Sequence, residues 1–595
     1  MIILAALAVS GGLVYKIYAL NWLGLIISLV LAILVSLLVI KKTAKPEFEG
    51  EKIKVNFWRF GYWVLYIISF LTVFRARTDQ AIVSPWELVP KMFFLAFFLL
   101  TLNLIIICRK EHRINLVYIS SFFLLIFSLA AIVYKIGYGF DPFIHEASLN
   151  YIDQHGFVLP KSFYYFGYYS LAMFVHKFLF IKIAFLIKTL VPVLAAILIP
   201  YSFYQLKEKN NQAILLLTLL PFSIFIISTP QSLAYILAII SLIWFWAEPK
   251  NNKYLSGLLA LAAFVVHPLA GIPVLLFLLL SFLTANWPKK EKLTRSLIFA
   301  INAIIVPIAF LFSSQNLHWI GLKNLSFNLG LSLFGQENFI LNSSYFIHLI
   351  VLILIAAVTI VGIKLNWKQK KAQNYLIISG SLIASYFLLS CFSFQSLVGS
   401  EQGNYAGRLL ILAAIFLIPS FYFGINHLLE IIKRENKTIK ILINIFIAIA
   451  ITTSLYHSYP RLDNYHNSRG YSVGANDLET VQFIEDRSQT DYLVLANQQV
   501  SVAAIKTFGF NRYYNQHYFY PIPTGGPLYK FYLDMVYEAP KKETMILAMD
   551  LLGVDEAYFV LNNYWWNFPK LLAASQLEAV WWERLGDNYI FYYQR

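Results

Sequence analysis

From residue 1 to about residue 457 the chain is built from long apolar runs separated by short polar breaks, and beyond that point the long runs stop. A run of 18 or more apolar residues makes a helix long enough to cross roughly 30 Å of hydrocarbon. The first part therefore predicts about 13–15 membrane spans, and the remaining stretch, about 135 residues, a water-soluble domain. In that tail the pattern changes period. A helical stretch at 477–487 leads to an extended run at 491–497, another at 541–552 leads to 554–561, and the chain closes on the strand-like 588–593. Alternating helix and strand predict an α/β domain. The expected fold class is an all-α polytopic membrane protein with a C-terminal soluble α/β domain.

Individual runs add detail. Residues 1–20 lack a basic lead and a small-residue cleavage site, so a retained helix is expected, not a removed signal peptide. The run 254–283 is too long for one span, and His267-Pro268 divides it into two short helices. Residues 164–205 must cross an odd number of times yet hold two apolar segments, 164–181 and 184–205. The first carries His176 and Lys177 and is open between a span and an interfacial or re-entrant helix.

Composition agrees with the pattern. Hydrophobic residues make up 59% of the chain and charged ones 13%, against roughly 25% charged in a soluble protein. The net charge of +16 suggests nucleic acid only until it is located. Residues 461–595 hold 11 Lys and Arg against 15 Asp and Glu, so the excess lies in the first 460 residues. There it sits in short loops, at 41–54, 109–113, 207–209, 250–253, 289–295, 368–371 and 433–440, which the positive-inside rule assigns to the cytoplasm. The intervening connections at 76–88, 136–163, 228–231, around His267, 315–343 and 393–407 are poor in Lys and Arg. Alternation puts these outside, with the N-terminus cytoplasmic and the soluble domain extracytoplasmic, in a multi-pass plasma-membrane protein. Cys108 and Cys391 both fall in apolar runs, too few for a disulfide framework or a zinc cluster.

Candidate chemistry gathers on the outer side. The loop 136–163 contains Asp141, His145, Glu146, Asp153 and His155 directly after a span. Pro142 suits the first helical position with Asp141 as N-cap, and Gly156 suits the end. His145 then falls near the face of Asp141. The plainer reading is that Asp141 caps an interfacial helix and the other polar groups are solvated. Further outer polar residues are Gln231, His267, Glu337, Glu401, Tyr405 and Arg408. A boundary arginine either snorkels or clamps a phosphate with its two-pronged guanidinium. The spans carry few ionisable groups, unlike those of an ion-driven transporter. The soluble tail shows no phosphate-loop, metal or nucleophile motif and reads as a folded cap.

The string Phe-Asp141-Pro-Phe-Ile-His145 in the first large outer loop, followed by an amphipathic helix and Gly156, resembles the GT-C glycosyltransferases, and most of all the opening motif of the oligosaccharyltransferase catalytic subunit. Pro-Gln231-Ser-Leu-Ala, His267-Pro268 and Tyr405…Arg408-Leu-Leu before Pro419 resemble membrane mannosyl- and arabinosyltransferase-like proteins. The resemblance covers roughly residues 115–460, a GT-C-like core, with 461–595 as the outer domain. Residues 1–114, four spans, are additional and read as an accessory module. The Trp-Trp-Asp-Tyr-Gly motif of oligosaccharyltransferase is absent, Tyr564-Trp565-Trp566-Asn567-Phe568 being a superficial echo.

The resemblance implies an inverting transfer of a sugar from a polyprenyl-phosphate carrier to a glycan, lipid or protein acceptor on the outer face, in contact with the bilayer and with no nucleic acid. Asp141 would serve as general base, with Glu146 the second catalytic candidate. Arg408 would stabilise the departing phosphate. His145, Gln231, His267, Glu337, Glu401 and Tyr405 would bind substrate. A Mg or Mn ion on Asp141, His145 and Glu337 is compatible with such a site but not required. The alternatives are a transporter or flippase for lipid-linked saccharides and a non-catalytic cell-surface scaffold.

Overall fold

The computed structural model describes residues 1–42, 57–110, 112–159, 161, 164–206, 209–247, 249–313, 317–319, 338–394, 399–468, 470–522 and 526–595. Among these, eleven helices are long and apolar enough to cross a membrane, beginning with Trp22–Ile40 and ending with Lys437–Ser458. Three shorter apolar helices, Ile2–Ile17, Met92–Ile107 and Asn252–Val266, accompany them. This is a multi-pass membrane protein. Lipid tails give helices no hydrophobic reason to associate, so close approach of backbones does much of the work. Between the helices Phe339–Asn366 and Gly399–Ile432, a Cβ on Gly362 would lie 1.7 Å from the Ser420 carbonyl oxygen. Nothing larger than glycine fits there.

Two segments depart from simple spans. Phe166–Leu179 is a helix of 14 residues that runs beside the outer-loop helix Asp141–His155. At one end Tyr165 and Tyr169 meet His145. At the other His176 and Lys177 reach Asp153. Both ends lie against the same outer-loop helix, and within 164–205 it is Ile183–Tyr204 that is long and apolar enough to cross a membrane. The second segment, 211–229, is broken. A six-residue helix, Asn211–Leu216, passes into 3-10 turns at Leu217–Leu219 and Ser223–Phe225 on either side of Pro221. Non-helical backbone at membrane depth needs partners for its freed polar groups. Ser454 donates to the carbonyls of Thr218 and Leu219 at 3.2 and 3.3 Å.

The C-terminal domain forms the expected α/β unit. Its four-stranded sheet has the order Tyr492–Leu495, Glu556–Asn562, Asn588–Gln594, Trp581–Leu585. The first two strands pair parallel and the others antiparallel. Helices such as Ala475–Arg487 and Lys542–Leu552 accompany the strands, and Glu556–Asn562 is buried throughout. The domain is seated on the connection between the helices Phe57–Arg75 and Met92–Ile107. Ser472 N–H donates to Ile82 O at 2.8 Å, Ala475 N–H to Asp79 O at 2.7 Å and Ser84 Oγ to Pro460 O at 2.7 Å. The first 114 residues thus include a mount for the soluble domain.

The outer-loop helix joins the two parts. Its Phe143 and Ala147 belong to the hydrophobic core of the soluble domain, while Leu149 and Ile152 belong to that of the membrane bundle. Between them the buried Glu146 takes both its carboxylate contacts, at 2.9 and 3.2 Å, from Lys506 on the helix Gln498–Phe508. Removing one partner of a mostly buried pair strands the other charge. We expect Lys506→Met to destabilise the docking by about 3 kcal/mol, read as a lowered Tm and faster amide exchange in 141–155. Adding Glu146→Leu should recover much of that loss, and failure of the double variant to recover it would remove the pair from this role.

Candidate functional site

The site is built at the start of the outer-loop helix. Pro142 occupies its second position, where the missing N–H costs nothing and the fixed φ suits a helix. Gly156 ends it in the left-handed conformation, φ +81°, with its N–H on Ile152 O at 2.7 Å. The cap differs from expectation: Phe140 is the N-cap and Asp141 is the first helical residue, making no capping bond. The Asp141 carboxyl is therefore free to face what lies over the helix end. It is solvent-accessible, yet enough protein surrounds it that desolvation raises its pKa above the ordinary aspartate range, with the Arg408 guanidinium pulling it back down.

His145 follows one turn later and is buried, with Nδ1 3.1 Å from the Tyr169 hydroxyl. Its ring lies 5.0 Å from that of Tyr165 and 5.6 Å from that of Tyr168. Burial, and secondarily the neighbouring His267, push its pKa down to about 3, so the imidazole is neutral at ordinary pH. Tyr165 is a functional candidate that sequence reasoning missed. Its backbone is left-handed, φ +68°, which costs a residue with a Cβ about 1–2 kcal/mol. The ring also lies 5.6 Å from His267. Burial raises the phenol's pKa, as do the nearby Asp141 and Tyr405, while Arg408 opposes them. The aromatic run Phe163-Tyr-Tyr-Phe166 was visible, but nothing in it singled out the strained residue.

Arg408, in the helix Gly399–Ile432, lies 4.6 Å from the centroid of the Tyr405 ring. It is within electrostatic reach of Asp141, Tyr165, His267 and Tyr235. Gln231 joins through Tyr235, to whose hydroxyl its side-chain amide donates. His267 sits between two helices, and its Nδ1 is buried without a hydrogen-bond partner. Asp141 and Arg408 influence each other but form no ion pair, which would need N···O within 4.0 Å.

The structure thus gathers Asp141, His145, Gln231, His267, Tyr405 and Arg408, and adds Tyr165 and Tyr235. Glu146 is instead held by Lys506. Glu401 belongs to the Gly399–Ile432 helix, but its side chain, like the whole of Glu337, lies outside the described residues. No group of three His, Cys, Asp or Glu suited to a metal ion occurs among the described residues. The imidazole proposed as a ligand is packed among tyrosines.

An apolar cavity of about 330 Å³ opens close by, walled by Phe127, Phe203, Phe222 and, from the arginine's own helix, Ile411 and Ile415. The broken segment 217–225 forms one side of it. Leu410 on its wall is 39% exposed, so the cavity reaches the outer surface of the bundle. Comparison with known proteins places the chain in no group: no protein-family model matches it, and no curated protein matches it significantly.

Because Arg408 favours the ionised form of Asp141, Arg408→Gln should move the Asp141 titration midpoint to higher pH. Difference infrared spectroscopy of aspartate-labelled protein, with Asp141→Asn to assign the band, reads that midpoint. No movement would mean that the two groups do not sense each other.

Proposed function

We propose that the protein is a membrane glycosyltransferase that moves a sugar from a polyprenyl-phosphate carrier to an acceptor hydroxyl, on the side of the bilayer that bears the soluble domain. One observation carries this reading: the Asp141 carboxyl and the Arg408 guanidinium are within electrostatic reach without forming an ion pair, and Ile411 and Ile415, one and two turns along the arginine's own helix, line an apolar cavity. Such a layout suits a substrate with a lipid tail, a phosphate and a sugar in series. The tail would occupy the cavity beside Ile411 and Ile415, the phosphate would meet Arg408, and the sugar would lie toward Asp141.

Chemistry follows from that order. The acceptor oxygen attacks the anomeric carbon as its proton passes to the Asp141 carboxylate, and the bond from that carbon to the phosphate oxygen breaks. The new glycosidic bond has inverted configuration, and the polyprenyl phosphate leaves with the electron pair of the broken bond. Arg408 is aimed at the charge that grows on the leaving oxygen, where a preorganised donor contributes most. Tyr165 and the neutral His145 and His267 shape the sugar subsite. Glu146 has a docking role, holding the helix that carries Asp141 onto the soluble domain.

With protein in vesicles and a labelled polyprenyl-phosphate sugar, Asp141→Asn should lower transfer by roughly a hundredfold or more, with carrier binding retained. Arg408→Lys keeps the charge but loses the fork and should weaken carrier binding by about 1.5–3 kcal/mol. A flippase would instead move the carrier at an undiminished rate in Asp141→Asn. A scaffold would lose function only on removal of 461–595. Either result would overturn this proposal.

The pH profile offers a separate check. A base must be ionised, so transfer should fall as pH drops through the raised pKa of Asp141, above the ordinary aspartate range. His145, already neutral down to about 3, should not set this limb, and His145→Gln should leave its position unchanged.

A further inference from the structure

At the far end of the bundle lies a second pocket of different character. The helix Gly399–Ile432 carries Arg408 near its start, and Lys433 follows its end. Twenty-five residues at 1.5 Å each separate the two by roughly 37 Å, about a membrane's thickness including interfaces. There Arg109, Lys433 and Lys440 rim a cavity of about 340 Å³, against about 30 Å³ for a water molecule in the liquid. Gln212 and Asn444 supply amides, and the remaining wall is apolar, including Ile105, Leu216 and Leu429.

The charges at this rim are poorly compensated. Lys433 has an exposed ion pair with Glu430 at 2.5 Å, a kind of contact that holds a lysine weakly. Arg109 and Lys440 have no ion-pair partner among the described residues. The helix Lys437–Ser458 turns Lys440, Ile443, Asn444 and Ile447 toward the pocket, with Ile443 and Ile447 half-buried. Clustered cations above an apolar wall that includes Ile443 and Ile447 match a charged headgroup joined to hydrocarbon chains. Basic pockets between helices at a membrane boundary take anionic lipid headgroups for this reason.

We propose that this pocket binds an anionic glycerophospholipid, with its phosphate between Arg109 and Lys440, its remaining headgroup against Gln212 and Asn444, and its acyl chains along Ile443 and Ile447. The site is separate from the carrier site proposed above and does not depend on the protein's being a transferase. Such a lipid would tie the helix Met92–Ile107 to the Gly399–Ile432 and Lys437–Ser458 helices by one shared headgroup.

The test uses the full chain, delipidated in detergent and titrated with dioleoyl-phosphatidylglycerol or dioleoyl-phosphatidylcholine under native mass spectrometry. Retention of one phosphatidylglycerol, preferred about tenfold or more over phosphatidylcholine, is the expected result. That preference should collapse in Arg109→Gln/Lys440→Gln, and persist in Lys289→Gln/Lys290→Gln, which removes equal charge elsewhere in the chain. Equal binding of the two lipids by the wild-type chain would overturn the proposal without reference to any variant. Loss of preference in both double variants would likewise overturn it, as a general charge effect. Displacement of the lipid by glycerol 3-phosphate at comparable concentration would show an anion site without a lipid. Stronger binding of a polyprenyl phosphate would show a second carrier site. Each of these also contradicts the proposal.

Discussion

The helix Asp141–His155 has to satisfy two hydrophobic cores at once, and the candidate site depends on that constraint. Phe143 and Ala147 are buried with the soluble domain, Leu149 and Ile152 with the membrane bundle. A helix presents such groups on different faces because successive residues turn by 100°. Held from both sides, it has little freedom to rotate or slide, so the direction of Asp141 at its first turn is set by packing far from the carboxyl itself. The Glu146–Lys506 pair adds a directional contact to this non-directional burial. A charged residue five positions after Asp141 is thereby tied to the soluble domain.

A second constraint comes from the bilayer. Breaking a helix at membrane depth exposes carbonyls that no lipid can satisfy, and here Ser454 takes those of Thr218 and Leu219. Its cost met, the break at Pro221 leaves room for the cavity beside the arginine's helix. The site thus combines three depths: an apolar slot in the bundle, a guanidinium at the boundary, and a carboxylate under the soluble domain. Strain is also placed there, in the left-handed backbone of Tyr165, whose ring touches both His145 and His267.

Much of this was legible from local pattern. Spans were readable because each must independently present enough apolar residues to cross hydrocarbon. The soluble domain's strands near 491–497, 554–561 and 588–593 appear within a few residues of their expected places. Asp141, His145, Gln231, His267, Tyr405 and Arg408 stood out as polar residues in connections poor in lysine. The role of Tyr165 was not legible, since it lies in an aromatic run like many others and its backbone conformation is imposed by neighbours. Residues 164–181 were ambiguous for a related reason: apolarity suits both a crossing and an interfacial helix, and only the folded chain shows a helix of 14 residues held at both ends by the outer-loop helix.

The amino-acid sequence by itself determined that this chain lives in a membrane, crosses it many times, and carries an α/β unit after the last span. Those properties rest on hydrophobicity and periodicity, which act over a few residues at a time. Which polar residues meet was decided by tertiary structure alone. Glu146 lies next to His145 in sequence yet bonds a lysine 360 residues away, while Asp141 senses an arginine 267 positions further on. Partnership of that kind depends on how helices settle against one another, and close packing of side chains, not their order along the chain, fixes it.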